Sequence, residues 1–277
     1  LSSNEANAEG DATGLDSFDS DGFTVDHEAS AQDMNASAHT YVAWNWKANG
    51  GTATATISES GDNPAAVVQA NATAGFSIIK YTGTGDAGTI AHGLGAVPTM
   101  MIIKNRQVAD AWAVYHGANT AAPATDYLVL NTTAATADAA TYWADTAPTS
   151  SVFTVHDAHN VNADGETYVA YVFAEVKGYS RIGSYIGNGS ANGIFVYLGF
   201  RPAFVMTISA TSASNRSMWD TKRPGYNLIN LALLAENNIS ERSGTYLIDS
   251  LSNGFKLRNT AQNDGGQTFI YMAFAEQ

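Results

Sequence analysis

The densest group of possible ligands in the 277-residue chain is His156-Asp157-Ala158-His159. Two imidazoles and a carboxylate within four residues form a donor set for a divalent transition metal. The group lies in a variable loop between two strand-like stretches, and the related stretches read Asp26-His27-Glu28-Ala29 and Arg258-Asn259-Thr260-Ala261, so the donors do not recur. Asp19-Ser20-Asp21-Gly22 has the opening of a calcium loop, with oxygens at alternating positions and a glycine for the sharp turn. His27 or Glu28 stands where the distal acid would belong. The same four residues also fit a turn delivering the chain into Phe23, as Pro148 to Ser151 and Ser250 to Asn253 precede Phe153 and Phe255. The turn is the favoured reading, and no metal or other cofactor is expected.

Catalytic arrangements are hard to find. His92-Gly93-Leu94-Gly95 with Pro98 matches Tyr197-Leu198-Gly199-Phe200 with Pro202, so Leu, Gly and Pro are shared and His is not. That pattern marks a tight turn entering a strand. Tyr81 to Gly85 and Tyr185 to Gly189 are glycine-rich, but no helix bearing Lys-Ser/Thr follows, which argues against a phosphate cradle. There is no Gly-x-Ser-x-Gly elbow. No pair of acids recurs at a spacing that implies general acid–base work, so the sequence points to a non-enzymatic protein. Zero cysteines exclude disulfides, thiolate nucleophiles and Cys-type zinc sites. Six Asn-x-Ser/Thr sequons, starting at Asn35, Asn71, Asn131, Asn188, Asn215 and Asn238, read as incidental in a composition rich in Asn, Ser and Thr. Trp112, Trp143 and Trp219 lie outside the most regularly alternating strands. Exposed, they would stack on sugar rings, with Asn and Asp as polar partners; a buried core Trp is the plainer outcome.

The charge balance narrows the partners. Thirteen basic residues against 26 acidic ones give a net charge of −13. That disfavours neutralisation of nucleic-acid phosphates and adsorption to anionic lipid. No apolar run is long enough to insert in a membrane, and no charged n-region with an apolar h-region opens the chain. Residues 1 to 73 hold 11 acids and one base, Lys47, so most of the excess is N-terminal. Residues 1 to 14 read as a solvated acidic tail.

The elements that must position these residues are repeated. Gly22-Phe23-Thr24-Val25 followed by Tyr41-Val42-Ala43-Trp44-Asn45-Trp46 is echoed by Phe153-Thr154-Val155 with Tyr168-Val169-Ala170-Tyr171-Val172-Phe173, and by Phe255-Lys256-Leu257 with Phe269-Ile270-Tyr271-Met272-Ala273-Phe274. Tyr81-Thr82-Gly83 recurs as Tyr185-Ile186-Gly187, and Leu94-Gly95 as Leu198-Gly199, both at an offset of 104. Trp112 and Trp219 serve as further landmarks. Two tandem modules result, 74 to 178 and 179 to 277, preceded by a linker at 48 to 73 and a strand pair at 15 to 47. Short β-branched or aromatic stretches at 76–81, 100–104, 112–116, 127–130, 153–155 and 168–176, with turn signals about every ten residues, predict antiparallel β-sandwich modules of jelly-roll type. Only Ile229 to Asn237 shows helical periodicity. The near-continuous apolar character of 168–176 predicts a central strand covered on both faces. The three-residue connection Val176-Lys177-Gly178 predicts two modules held as one stiff unit.

These motifs, in this order, have a family look. Thr-Tyr-Val-Ala-Trp-Asn-Trp-Lys-Ala at 40 to 48, Phe-Ser-Ile-Ile-x-Tyr-Thr-Gly at 76 to 83, His-Gly-Leu-Gly-x-x-Pro at 92 to 98, Ala-Pro-Thr-Ser-Ser-Val-Phe at 147 to 153, Tyr-Val-Ala-Tyr-Val-Phe-Ala-Glu at 168 to 175 and Gly-Phe-Arg-Pro-Ala-Phe-Val-Met at 199 to 206 carry it. Together they resemble a repeat region of virion proteins from tailed, notably marine, bacteriophages. In such proteins the region usually follows a concanavalin A-like lectin module, whose last strand the Tyr-Val-Ala-Trp-Asn-Trp segment resembles. The resemblance implies a structural or fibre-like component at the virion surface, outside the cell. Its implied partners are copies of itself, other virion proteins and host-surface glycan. It brings no catalytic residues. On this reading the strand pair at 15 to 47 completes a preceding or neighbouring sandwich.

Overall fold

The computed structural model describes residues 1–10, 14–25 and 34–276. Among them every strand pairing is antiparallel, and the only helices are two single turns. The protein is all-β.

A small hairpin, β1 (Leu15–Phe18) and β2 (Phe23–Val25), comes first. The first module contains β3 (Ala55–Ile57), β4 (Ala66–Asn71), β5 (Phe76–Thr82), β6 (Gly88–Ala91), β7 (Met100–Asn105), β8 (Ala113–His116), β9 (Asp126–Val129) and β10 (Ala137–Asp138). It continues through α1 (Ala140–Trp143), β11 (Val152–Val155), α2 (His159–Asn162) and β12 (Thr167–Phe173). Its large sheet has the order β10-β9-β8-β7-β12-β5-β4-β3, and β11 pairs with β6 in a separate ribbon. The second module contains β13 (Ser180–Ile186), β14 (Phe195–Tyr197), β15 (Pro202–Ser209), β16 (Ser217–Asp220), β17 (Ile229–Leu234), β18 (Arg242–Leu251), β19 (Gly254–Leu257) and β20 (Thr268–Ala275). Its order is β13-β20-β15-β16-β17-β18-β19-β14. A register shift between Ile229 and Leu231 lets β17 turn from one layer of this sandwich to the other.

The repeat seen in the sequence is a repeat of registers. Strand β12 lies between β5 and β7, and β20 lies between β13 and β15. The ribbon β6–β11 has its counterpart in β14–β19, with Phe153 and Phe255 equivalent. One landmark moves: Met101 faces Tyr115 where Val205 faces Trp219, so Trp219 corresponds to Tyr115, and Trp112 corresponds to Arg216. The stretch with helical periodicity is β17, because β-pairing to β16 and β18 overrides a weak local preference.

Burial explains the apolar strands. One face of the first large sheet, with Ile79, Ile103 and Ala170, packs under the β6–β11 ribbon, α1 and α2. One face of the inner layer of module two, with Val205, Phe269 and Ala273, packs under β17, β18 and β19. The opposite faces meet each other, so that Phe76, Met100, Val114 and Phe173 share a core with Phe204, Met206, Ile270 and Phe274. The result is four layers with three cores. Alternate residues of β12 and β20 therefore enter different cores; β20 is buried on both faces along most of its length, whereas Thr167, Val169 and Tyr171 on one face of β12 stay partly exposed.

Polar groups also tie the modules together. Arg216, with no exposed surface, donates to the carbonyls of Val129 and Ala134 in the first module and of Ser214 in its own. Burial lowers its pKa to about 10, with Glu236 opposing the shift, and it stays charged at neutral pH. The backbone amide of Ala118 donates to His116 Nδ1, so Nε2 carries the proton and donates to Tyr271 O of the second module at 3.2 Å.

The N-terminal part differs from the sequence reading. Residues 48 to 73 are not a linker, since β3 and β4 within them extend the first large sheet beside β5. The first ten residues are not a free tail. Ser3 Oγ donates to Ala235 O, Trp112 Nε1 donates to Ser2 O and Glu5 O, and Glu9 pairs with Arg106 at 2.6 Å. Residues 41 to 46 form no ladder within the chain. Their period-two alternation turns Trp44 and Trp46 onto Phe204 and Phe274 at the edge of the shared core.

Candidate functional site

The three tryptophans singled out as sugar platforms are core residues. Trp143 and Trp219 have no exposed surface, and Trp112 is 6 % exposed. Each indole N–H is bonded internally: Trp143 to Asp126 O, Trp219 to Tyr246 O, and Trp112 to the N-terminal segment. Trp143 closes the first-module core in an edge contact with Tyr115. None presents a face to a ligand.

The histidine and aspartate groups also separate. Asp19 accepts from the hydroxyls of Ser17 and Thr24, which fixes the β1–β2 turn. Asp21 is exposed in that turn, and His27 and Glu28 lie outside the described residues. His156 Nδ1 lies 3.7 Å from Asp157 and donates to Ala140 O at 3.2 Å when it carries the proton. His159 faces away from this pair, with Nδ1 3.5 Å from Asp110 and 3.6 Å from Glu166. His92 is a turn residue: Leu94 N–H donates to its Nδ1, and its Nε2 lies 3.2 Å from Thr149 O. Burial lowers its pKa, against the opposing effect of that carbonyl.

The glycine-rich loops already hold a guest of their own. Asn162, buried in α2, accepts from Thr84 N–H through its side chain and from Gly85 N–H through its backbone. Asn263 does the same for Asn188 and Gly189. The amides that would cradle a phosphate are thus consumed inside each module.

The surface with binding character is one the sequence reading passed over. On β14 only Val196 points into the core, while Phe195 and Tyr197 are 42 % and 61 % exposed. Phe195 faces Lys256, which faces Asp249 across the next pair, and Arg258 lies 3.3 Å from Asp249. Tyr197 faces Gly254. A Cβ on Gly254 would lie 2.0 Å from Val196 O and 2.9 Å from the Phe195 ring, so glycine lets the two strands approach and leaves room beside that ring. Two aromatic rings with a carboxylate, an ammonium and a guanidinium beside them thus stand on the outer sheet of module two. Module one has Thr89 and Ala91 at the same registers. The alternation Phe-Val-Tyr was the available signal, and its shortness hid it.

The family model for a domain of unknown function, DUF7483, matches residues 1–277. The chain belongs to the DUF7483 family. No curated protein and no solved structure matches it. Within this DUF7483 domain no helix of the described residues is long and apolar enough to cross a membrane. The open depression beside Phe200 and Pro202 is bordered by Lys222 and Glu276, which neutralise each other as an ion pair.

Proposed function

We propose that the DUF7483 chain is a non-enzymatic structural component of a tailed-phage virion surface, a tail fibre, capsid fibre or decoration, which assembles with its own copies and other virion proteins. The observation that carries this reading is the shared middle core. A chain that packs its two modules face to face in a shared core, and locks them with Phe204, Phe274 and Arg216, resists relative motion of the modules. Such rigidity suits a load-bearing role outside the cell. The resemblance of the ordered motifs to phage virion repeats supplies the setting. Light scattering coupled to size exclusion, together with imaging of intact particles, tests it. A stable homo-oligomer present on assembled particles is expected; a monomer absent from particles overturns it.

A second reading adds host-glycan binding to this role, and the exposed Phe195 and Tyr197 favour it. Aromatic faces take the apolar C–H faces of sugars, and Asp249, Lys256 and Arg258 stand ready for hydroxyls or acidic substituents. The sister module folds with Thr89 and Ala91 at these positions, so packing does not demand the rings. On a glycan array, Tyr197→Ala should abolish a signal that Trp143→Ala loses only by unfolding. No binding by the native protein across a broad array rejects this addition.

A further inference from the structure

The geometry points to a divalent transition-metal site formed by Asp110, His159 and Glu166, of the kind that takes zinc. Their donor atoms come from three separate places: the turn after β7, the start of α2, and the residue before β12. One ligand atom from each lies within 4.8 Å of the others. His159 Nδ1 stands 3.5 Å from Asp110 Oδ2 and 3.6 Å from Glu166 Oε2. Those spacings are too long for good hydrogen bonds. They are close to the edge of a tetrahedron of donors around zinc, about 3.4 Å for bonds near 2.1 Å.

The acids are held in place by a buried donor. Asn105, fully buried, donates its side-chain amide to both Asp110 Oδ2 and Glu166 Oε2. Tyr168 O–H stands 3.3 Å from the same Glu166 oxygen. Such outer contacts orient carboxylates and raise the precision of a metal site. Two half-buried carboxylates sharing one amide repel each other unless a cation stands between them. The Lys104 ammonium donates to the carbonyls of Asn105 and Val108 and interacts with Asp110 through charge alone, without a hydrogen bond to either carboxylate. His159 is exposed, which leaves an entry path and a place for a water ligand.

The duplication gives an internal control. The corresponding positions in module two are Ser214, Thr260 and Gln267, and Asn105 is replaced by Ser209. None of these is charged. The corner can therefore be built without acids or imidazole, and only module one carries them there.

The test uses the full chain without an affinity tag, dialysed against chelator and titrated calorimetrically with zinc chloride. One equivalent should bind. His159→Ala and Glu166→Gln should each weaken binding by roughly tenfold or more, whereas His156→Ala should leave it unchanged. His159 is exposed, so its variant should keep the native melting curve and remain informative if Glu166→Gln unfolds. Absence of stoichiometric zinc binding overturns the site, as does affinity unaffected by His159→Ala. Calcium binding as tightly as zinc also overturns it, because the imidazole would then not be a ligand.

Discussion

At the scale of single residues, burial separates chemistry from packing. Trp143 is the clearest case: it looks like a ligand platform in the sequence and is a keystone in the fold. Its ring fills the first-module core beside Tyr115, and its N–H satisfies Asp126 O. Trp143→Ala removes a large aromatic volume and leaves a carbonyl unpaired. Loss of about 3–5 kcal/mol is expected in urea unfolding. A change below about 1 kcal/mol would show that the ring is not packed as described. Arg216 is the polar equivalent. Replacing it with Met keeps much of the volume but strands the carbonyls of Val129, Ala134 and Ser214 and removes the charge facing Glu236, whose carboxylate keeps only its bond from the backbone N–H of position 216. Removing one partner of such a buried network costs about 3–5 kcal/mol, and the same unfolding measurement reads it.

At the scale of elements, the glycines repeated in Tyr-x-Gly mark a close approach. A Cβ on Gly83 would lie 2.2 Å from Ala163 O, and one on Gly187 would lie 2.3 Å from Asp264 O. The obstacles are backbone atoms of the loop that carries Asn162 or Asn263, which cannot step aside without breaking those asparagines' bonds. Gly83→Ala and Gly187→Ala should each lower the melting temperature, and Asn162→Ala and Asn263→Ala should do the same in parallel. If only one member of a pair matters, the two loops are not built alike. The sequence showed these elements well where alternation and turn residues agreed. The stretches predicted at 76–81, 100–104, 153–155 and 168–176 coincide closely with β5, β7, β11 and β12. It failed at β3 and β4, whose Ala-, Thr- and Asn-rich composition resembles a linker and whose strand state comes from pairing with β5. It failed also at the candidate site. Asp110 and Glu166 lie 56 positions apart in the chain, and neither neighbours His159 closely enough to form a motif. Only the meeting of three loops brings them together. Exposure of Phe195 and Tyr197 was unreadable for a different reason. A three-residue strand gives too little alternation to say which face is outward.

At the scale of the whole molecule, the middle core makes the two modules one structure, and His116 is the titratable group placed to register acid at that junction. It is fully buried, accepts from Ala118 N–H and donates to Tyr271 O, so the native state needs it neutral. Burial lowers its pKa from 6.5 to about 4, outweighing the favourable carbonyl contact. The unfolded chain takes up the proton first as pH falls. Stability conferred by the neutral imidazole is therefore complete above pH 6.5 and is lost between 6.5 and 4, by about 3 kcal/mol. His92 shifts in the same direction, and titrating carboxylates add their own slope, so the comparison must isolate His116. His116→Gln keeps a donor and an acceptor but does not titrate. Urea unfolding of both proteins at pH 7.5 and pH 4 should show the native protein losing about 3 kcal/mol more than the variant. Equal losses would mean that the imidazole is already protonated, or already wet, in the native junction. The two modules would then not share the dry core from which their rigidity is argued.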